Sequence, residues 1–194
     1  MYPEITEADI KICNRALGRM GGKKISSFGD STPEERDCEL FYAETRDEIL
    51  ESFGWSFCKK RATLVQGGDT PDFGYSYSFG LPSDCLQPVS INTSIATAEP
   101  DWVSENGFLL TNEEEVNLKY KASVGADKFS PSFKSAFILL LASRLAMSVA
   151  KNAKLADSLE NKYIQYVASE AMTINAATSR EEEYTPSTYE DARS

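Results

Sequence analysis

Over residues 6–20, Ile12, Ala16, Leu17 and Met20 recur on one face at helical spacing, which predicts a first amphipathic helix. Thr6 followed three residues later by Asp9 is a capping signal. Gly21-Gly22 stops the helix, because glycine readily takes the left-handed conformation of a C-cap. The second helix has a fuller start in Thr32-Pro33-Glu34-Glu35: a capping threonine, proline at the first helical position and a glutamate three residues after the cap. Cys38, Phe41, Tyr42, Thr45, Ile49 and Phe53 then form one buried stripe, with Gly54 as its terminator.

From Trp55 the period changes. Trp55, Phe57 and Leu64 fit a strand, and Gly67-Gly68-Asp69 breaks the chain. Residues 67–82, rich in Gly, Ser, Pro and aromatics, read as loop with at most a short strand, and residues 89–93 as another strand. Trp102-Val103, Asn106-Gly107 and Phe108-Leu109-Leu110 spell a two-residue hairpin, and Val116, Leu118 and Tyr120 alternate with Asn117 and Lys119 as in a half-exposed strand. Ser130-Pro131 opens a third helix, apolar nearly all round from Phe137 to Met147, as in the centre of a bundle. A fourth helix follows Asn152 and carries Leu155, Leu159, Tyr163, Tyr166 and Ile174. After about residue 178 the pattern disappears. Residues 180–194 are polar, mostly acidic and interrupted by Pro186, a segment that cannot bury itself and is expected to be either disordered or ordered by a partner.

The economical architecture is α+β: a four-helix bundle formed by the N- and C-terminal helix pairs (1–54 and 123–179), a small antiparallel β insertion (55–122) and an extended acidic C-terminal tail (180–194).

Composition narrows the chemistry. The 194 residues suit one domain, and 41% hydrophobic with 26% charged residues is ordinary globular composition. There is no histidine, which removes the commonest general base and metal ligand. A net charge of −10 argues against a chain whose main task is gripping phosphates; it suits plain solubility and also a surface that nucleic acid slides past. The four cysteines, Cys13, Cys38, Cys58 and Cys85, form no CxxC pair, so zinc and redox motifs are not indicated and buried free thiols are expected. The N-terminus has neither the basic nor the apolar region of a signal peptide, and the apolar run 136–150 is too short to span a bilayer and contains Arg144, so a soluble, cytosol-made protein is expected.

The remaining candidate groups are weak as chemistry. Asp69 and Asp72 lie in an aromatic-rich loop beside Phe73, Tyr75 and Tyr77, a composition that suits sugar stacking, but loop aspartates also make turns. Glu113-Glu114-Glu115 reads as a solvated turn and lacks the alternating ligands and glycine of a calcium loop. Gly21-Gly22-Lys23-Lys24 lacks the upstream glycine and the following Ser or Thr of a phosphate loop, and it ends a helix where a phosphate loop opens one. Lys59-Lys60-Arg61 is the one compact basic cluster, read equally as a docking point for an acidic partner or as a solvated strand end. No catalytic, cofactor-binding or metal-ligating residue is assigned.

Taken in order, four stretches resemble the tail tubular protein A family of short-tailed bacteriophages, the head-to-tail adaptor or gatekeeper proteins. They are Ile12-Cys13-Asn14-Arg15-Ala16-Leu17-Gly18-Arg19-Met20-Gly21 with Ile25; Asp30, Cys38, Tyr42, Arg46, Asp47 and Leu50 through Trp55-Ser56-Phe57; Leu81-Pro82-Ser83-Asp84-Cys85-Leu86; and Asn106-Gly107, Leu109-Leu110-Thr111-Asn112, Val116 to Tyr120 and Phe129 to Phe133. These are structural positions without a catalytic signature, and the 67–77 loop and the acidic tail depart from the family pattern. The resemblance implies a helical bundle with a β insertion. It also implies a non-enzymatic virion protein, made in the host cytoplasm, that forms a ring, usually of twelve subunits, between the portal protein and a tail nozzle of the tail tubular protein B type. DNA passes through the lumen without specific binding, and tail fibres or spikes attach nearby. The partner contacts expected on this reading are Lys59, Lys60 and Arg61; Phe73, Tyr75 and Tyr77 toward nozzle or fibres; and Arg180, Tyr184 and Tyr189 in a portal-side clamp. The alternatives are a tail-associated polysaccharide hydrolase using Asp69 and Asp72, and a head-completion protein of another tailed phage.

Overall fold

The computed structural model describes residues 5–67, 71–92 and 101–183. The chain runs α1 (Glu7–Met20), α2 (Pro33–Ser52), a 3-10 turn (Ser56–Cys58), β1 (Lys59–Thr63), β2 (Tyr77–Gly80), β3 (Cys85–Asn92), β4 (Trp102–Glu105), β5 (Phe108–Thr111), β6 (Asn117–Ala122), α3 (Pro131–Ser148) and α4 (Ala153–Glu183).

The helix ends follow local chemistry. Thr6 is extended, and both its main-chain N–H (2.7 Å) and its hydroxyl (2.5 Å) donate to Asp9 Oδ2. Gly21 closes α1 at φ 77°, in the left-handed region that disfavours a side chain. Thr32 accepts from the Glu35 N–H at 3.2 Å, and Ser130 accepts from the Phe133 N–H at 3.2 Å, each ahead of a proline at the first helical position. Asn152 caps α4 by accepting from the Leu155 N–H at 3.1 Å. Asn14 clamps the chain leaving α1: its amide donates to the Ile25 carbonyl at 2.9 Å and accepts from the Ile25 N–H at 2.8 Å, as a paired strand would.

α3 is the hub. Phe133, Phe137, Leu141 and Leu145 are fully buried, and α1, α2 and α4 all pack on this helix while α1 and α2 touch each other only slightly. Trp55, between α2 and β1, is seated on the helical layer: its indole N–H donates to the Ile49 carbonyl at 2.9 Å, and its ring meets Phe133 edge-on with centroids 5.4 Å apart.

The expected four-helix bundle with a small β insertion is corrected by the structure. The chain is α+β with four helices and two three-stranded antiparallel sheets, ordered β1-β6-β3 and β2-β5-β4. The physical reason is the core. Leu64, Phe79, Ile91, Leu109, Val116, Leu118, Tyr120 and Ala122 are buried from the strand region into the same core as the helices, so this region is a structural layer of its own. Smaller differences follow. Trp55 heads the 3-10 turn, where a strand was expected, because its ring is turned back onto α2 and α3. Residues 67–82 hold one short strand, β2, within the expected bounds, while β3 begins at Cys85, ahead of the expected residue 89, its two register shifts accommodating Pro88. The Asn106-Gly107 turn has φ 48° and 81° and joins β4 to β5, as its sequence requires. α4 continues to Glu183, so residues 180–183 of the expected extended tail are helical; the rest of the tail lies outside the described residues.

One buried polar junction ties α1 to α2. Asp9 is 2% exposed, accepts both bonds from Thr6, and accepts a short hydrogen bond from the Tyr42 hydroxyl. Tyr42→Phe is expected to destabilise the fold by ~1–3 kcal/mol, because it strips one donor from a buried carboxylate. Urea denaturation should show a lower midpoint at unchanged slope; an unchanged midpoint would refute the junction's role.

Candidate functional site

The basic triplet is divided by strand alternation. β1 pairs with β6 in the register Lys59↔Lys121, Lys60↔Tyr120 and Arg61↔Lys119. Lys59 and Arg61 therefore share a side with Lys119 and Lys121, while Lys60 turns the other way. Lys60 Nζ donates to Asp84 Oδ2 at 2.6 Å, and the Tyr120 hydroxyl donates to Asp84 Oδ1 at 3.1 Å. Lys60 thus belongs to a staple joining β1, β6 and the start of β3. Lys119 and Lys121 were missed in the sequence, where Lys119 read only as part of the exposed half of an alternating strand. The β1–β6 register is the signal that groups them with Lys59 and Arg61.

The aromatic triplet is also divided. Phe73 is 87% exposed. The Tyr75 hydroxyl donates to Asp101 Oδ1 at 3.4 Å, and the Tyr77 hydroxyl donates to Glu114 Oε1 at 3.0 Å. Burial and the Asp101 carboxylate push the Tyr75 hydroxyl up from its ordinary value; the bond to Glu114 does the same for Tyr77. Ser76 fastens the loop by donating its N–H and its hydroxyl to Asn112 Oδ1, both at 3.0 Å. Phe73 and Tyr75 line an open cavity of about 510 Å³ with Asp72, Glu105, Phe108 and Leu110, over one face of the β2-β5-β4 sheet. Glu105 enters this cavity from the hairpin, a neighbour that linear order conceals. Asp69, Tyr184 and Tyr189 lie outside the described residues, and Arg180 falls within the last turns of α4.

Cys13, Cys58 and Cys85 are not activated thiolates. All four cysteines are free; Cys13, Cys38 and Cys58 are buried and Cys85 is half-buried. A hydrogen bond with Cys38, then burial, pushes the Cys13 thiol far up, and burial next to Asp84 pushes Cys85 up to about 11. Among the described residues no group of three or more His, Cys, Asp or Glu side chains could hold a metal ion, and no helix is long and apolar enough to cross a membrane.

Two further carboxylates act as fasteners. Arg46, 2% exposed, forms a forked pair with Asp47 (2.8 and 3.0 Å), and the Ser123 hydroxyl donates to Asp47 Oδ1 at 2.9 Å, linking α2 to the segment after β6. Arg144 of α3 donates to the Thr45 hydroxyl at 2.7 Å and pairs with Glu48. No protein-family model matches the sequence, and no curated protein matches it.

The Asp84 staple makes a pH prediction. Burial raises the Asp84 carboxyl, but the hydrogen bond and charge of Lys60 and the Tyr120 hydroxyl outweigh it, leaving the group below its ordinary 3.8. A lowered carboxyl contributes stability that is complete above the unfolded value and is lost as pH falls through the folded one. Asp84→Asn should therefore be less stable than the natural chain at neutral pH, with the gap closing below about pH 4. Thermal melts across pH 3–7 check this; a gap independent of pH would refute it.

Proposed function

We propose that this chain is a structural virion protein, a ring-forming adaptor that joins a portal to a tail nozzle and lets DNA pass through its lumen. The observation that carries the reading is where the residues of the four resembling stretches stand. Asn14 clamps Ile25, Tyr42 holds Asp9, Arg46 forks onto Asp47, Trp55 is bonded to Ile49, and Asp84 joins Lys60 and Tyr120. The shared pattern thus encodes a scaffold, and it leaves charged and apolar surface for partners. The net charge of −10 supports the same reading, since weak phosphate affinity lets DNA slide past an acidic wall. The nozzle- or fibre-facing candidates are Phe73 and Tyr75, which stand exposed or half-exposed at the cavity rim. The acidic segment 180–194 remains the candidate portal clamp.

A second reading rests on the cavity that gathers Asp72 and Glu105 beside Phe73, Tyr75 and Phe108, the type of arrangement a polysaccharide hydrolase would need.

The test of the adaptor is the mass of the complex formed with the cognate purified portal ring, measured beside each component alone. One added copy per portal subunit is the expected result; no association at low or moderate salt would overturn the portal-docking role. Capsule-degrading activity that disappears in Asp72→Ala would move the assignment to the hydrolase.

A further inference from the structure

In a chain of net charge −10, one face of the β1-β6-β3 sheet carries only cations and neutral groups. Leu118, Tyr120 and Ala122 fill the core side of β6. Alternation therefore places Lys119, Lys121 and Asn117 on the opposite side, with Lys59, Arg61 and Thr63 of β1 and Gln87 and Ser90 of β3. Lys59 stands directly across from Lys121, and Arg61 across from Lys119. Two like-charge cross-strand pairs in succession cost stability. Lys59, Arg61 and Lys119 form no ion pair among the described residues, and Lys121, at the rim, donates to the Glu51 carbonyl. A shallow cavity of about 530 Å³ overlies Arg61, Thr63, Ser90, Asn117 and Lys119.

The complement is on the same chain, on α2 beside the edge strand β3, and Lys121 meets its near end at Glu51. α2 presents Leu40, Glu44, Asp47, Glu48 and Glu51 along one groove of about 600 Å³, completed by Leu86 of the edge strand β3. Asp47 and Glu48 are bridged within the molecule, to Arg46 and Arg144, whereas Glu44 forms no ion pair among the described residues. Leu40, 64% exposed, supplies an apolar contact at the groove's end. Glu44 and Glu51 are two turns apart on α2, about 10.5 Å along the axis.

We propose that the cationic face of the β1-β6-β3 sheet docks onto the acidic α2 groove of a second copy. One contact uses two different patches, the outer face of the sheet and the side of α2, so it is head-to-tail and generates a ring when its rotation closes. The inference rests on the ring of the proposed function and assigns its subunit interface. A second copy is a better occupant than nucleic acid, because the cationic face offers no aromatic side chain on which bases could stack.

The test is sedimentation of the full-length chain over a concentration series at about 0.05 M and about 0.5 M salt. The natural chain should associate at low salt and dissociate at high salt. Arg61→Glu with Lys119→Glu, and separately Glu44→Lys with Glu51→Lys, should each weaken association by about tenfold or more. An equal mixture of the two charge-reversed proteins should restore it, since every contact in an alternating ring is again between opposite charges. Arg61→Gln and Glu44→Gln should shift association in the same direction by less, and they guard against misfolding of the doubly reversed chains. If the reversed variants assemble as the natural chain does, this interface is wrong while the ring stands. A natural chain that stays monomeric, both alone and on a portal, would overturn interface and ring together. A fluorescent single-stranded oligonucleotide bound through Arg61 and Lys119, with no restoration on mixing, would assign the face to nucleic acid and overturn the proposal.

Discussion

A helix that is apolar nearly all round must be surrounded, and α3 imposes that demand on the rest of the chain. Its buried residues run from Phe133 to Ala146 with few breaks. α1, α2 and α4 each cover part of it, and the aromatic group of Trp55, Phe57 and Phe129 closes its N-terminal end where the strands begin. Arg144 marks where this helix meets a polar neighbour, and it uses Thr45 and Glu48 to fix the seating of α2. The helices are therefore arranged about a hub and do not form a symmetric bundle, which frees one flank of the core for the sheets.

Around that apolar hub the polar fasteners are carboxylates. Asp9 joins α1 to α2, Asp47 joins α2 to the chain after β6, and Asp84 joins β1 to β6. Each accepts from at least two donors, the condition under which a buried or half-buried carboxylate is tolerable. Among the described residues no buried side-chain polar atom lacks a partner. A chain without histidine has built these three links from acid–hydroxyl and acid–cation pairs.

Helix starts were legible because capping is local: Thr6, Thr32, Ser130 and Asn152 each act within three or four residues of themselves. The Asn106-Gly107 hairpin was legible for the same reason. The extent of sheet was not. β1 pairs with a strand more than fifty residues away, and the short strand β2, allowed for in its segment, gives no sign there of its partner β5. Whether a strand is an appendage or a layer depends on what its inner face meets, and Phe79 and Leu109 disclose that only once the chain is folded. The candidate surfaces share this limit. Lys59-Lys60-Arg61 looked like one cluster; pairing sends Lys60 to Asp84 and gives its neighbours Lys119 and Lys121 as companions.

That regrouping changes what the net charge means. At physiological salt the screening length is about 8 Å, shorter than the molecule, so an approaching partner responds to the nearest patch and not to the total. A chain of −10 can present an acidic wall in one direction and a cationic sheet face in another. The cationic face retains two opposed like-charge pairs, each of which one carboxylate substitution would have relieved. The acidic groove on α2 concentrates charge of the other sign around exposed Leu40. Such separation is unfavourable within an isolated subunit and becomes favourable once the two patches meet across a subunit boundary, which is the electrostatic condition for repeated head-to-tail assembly.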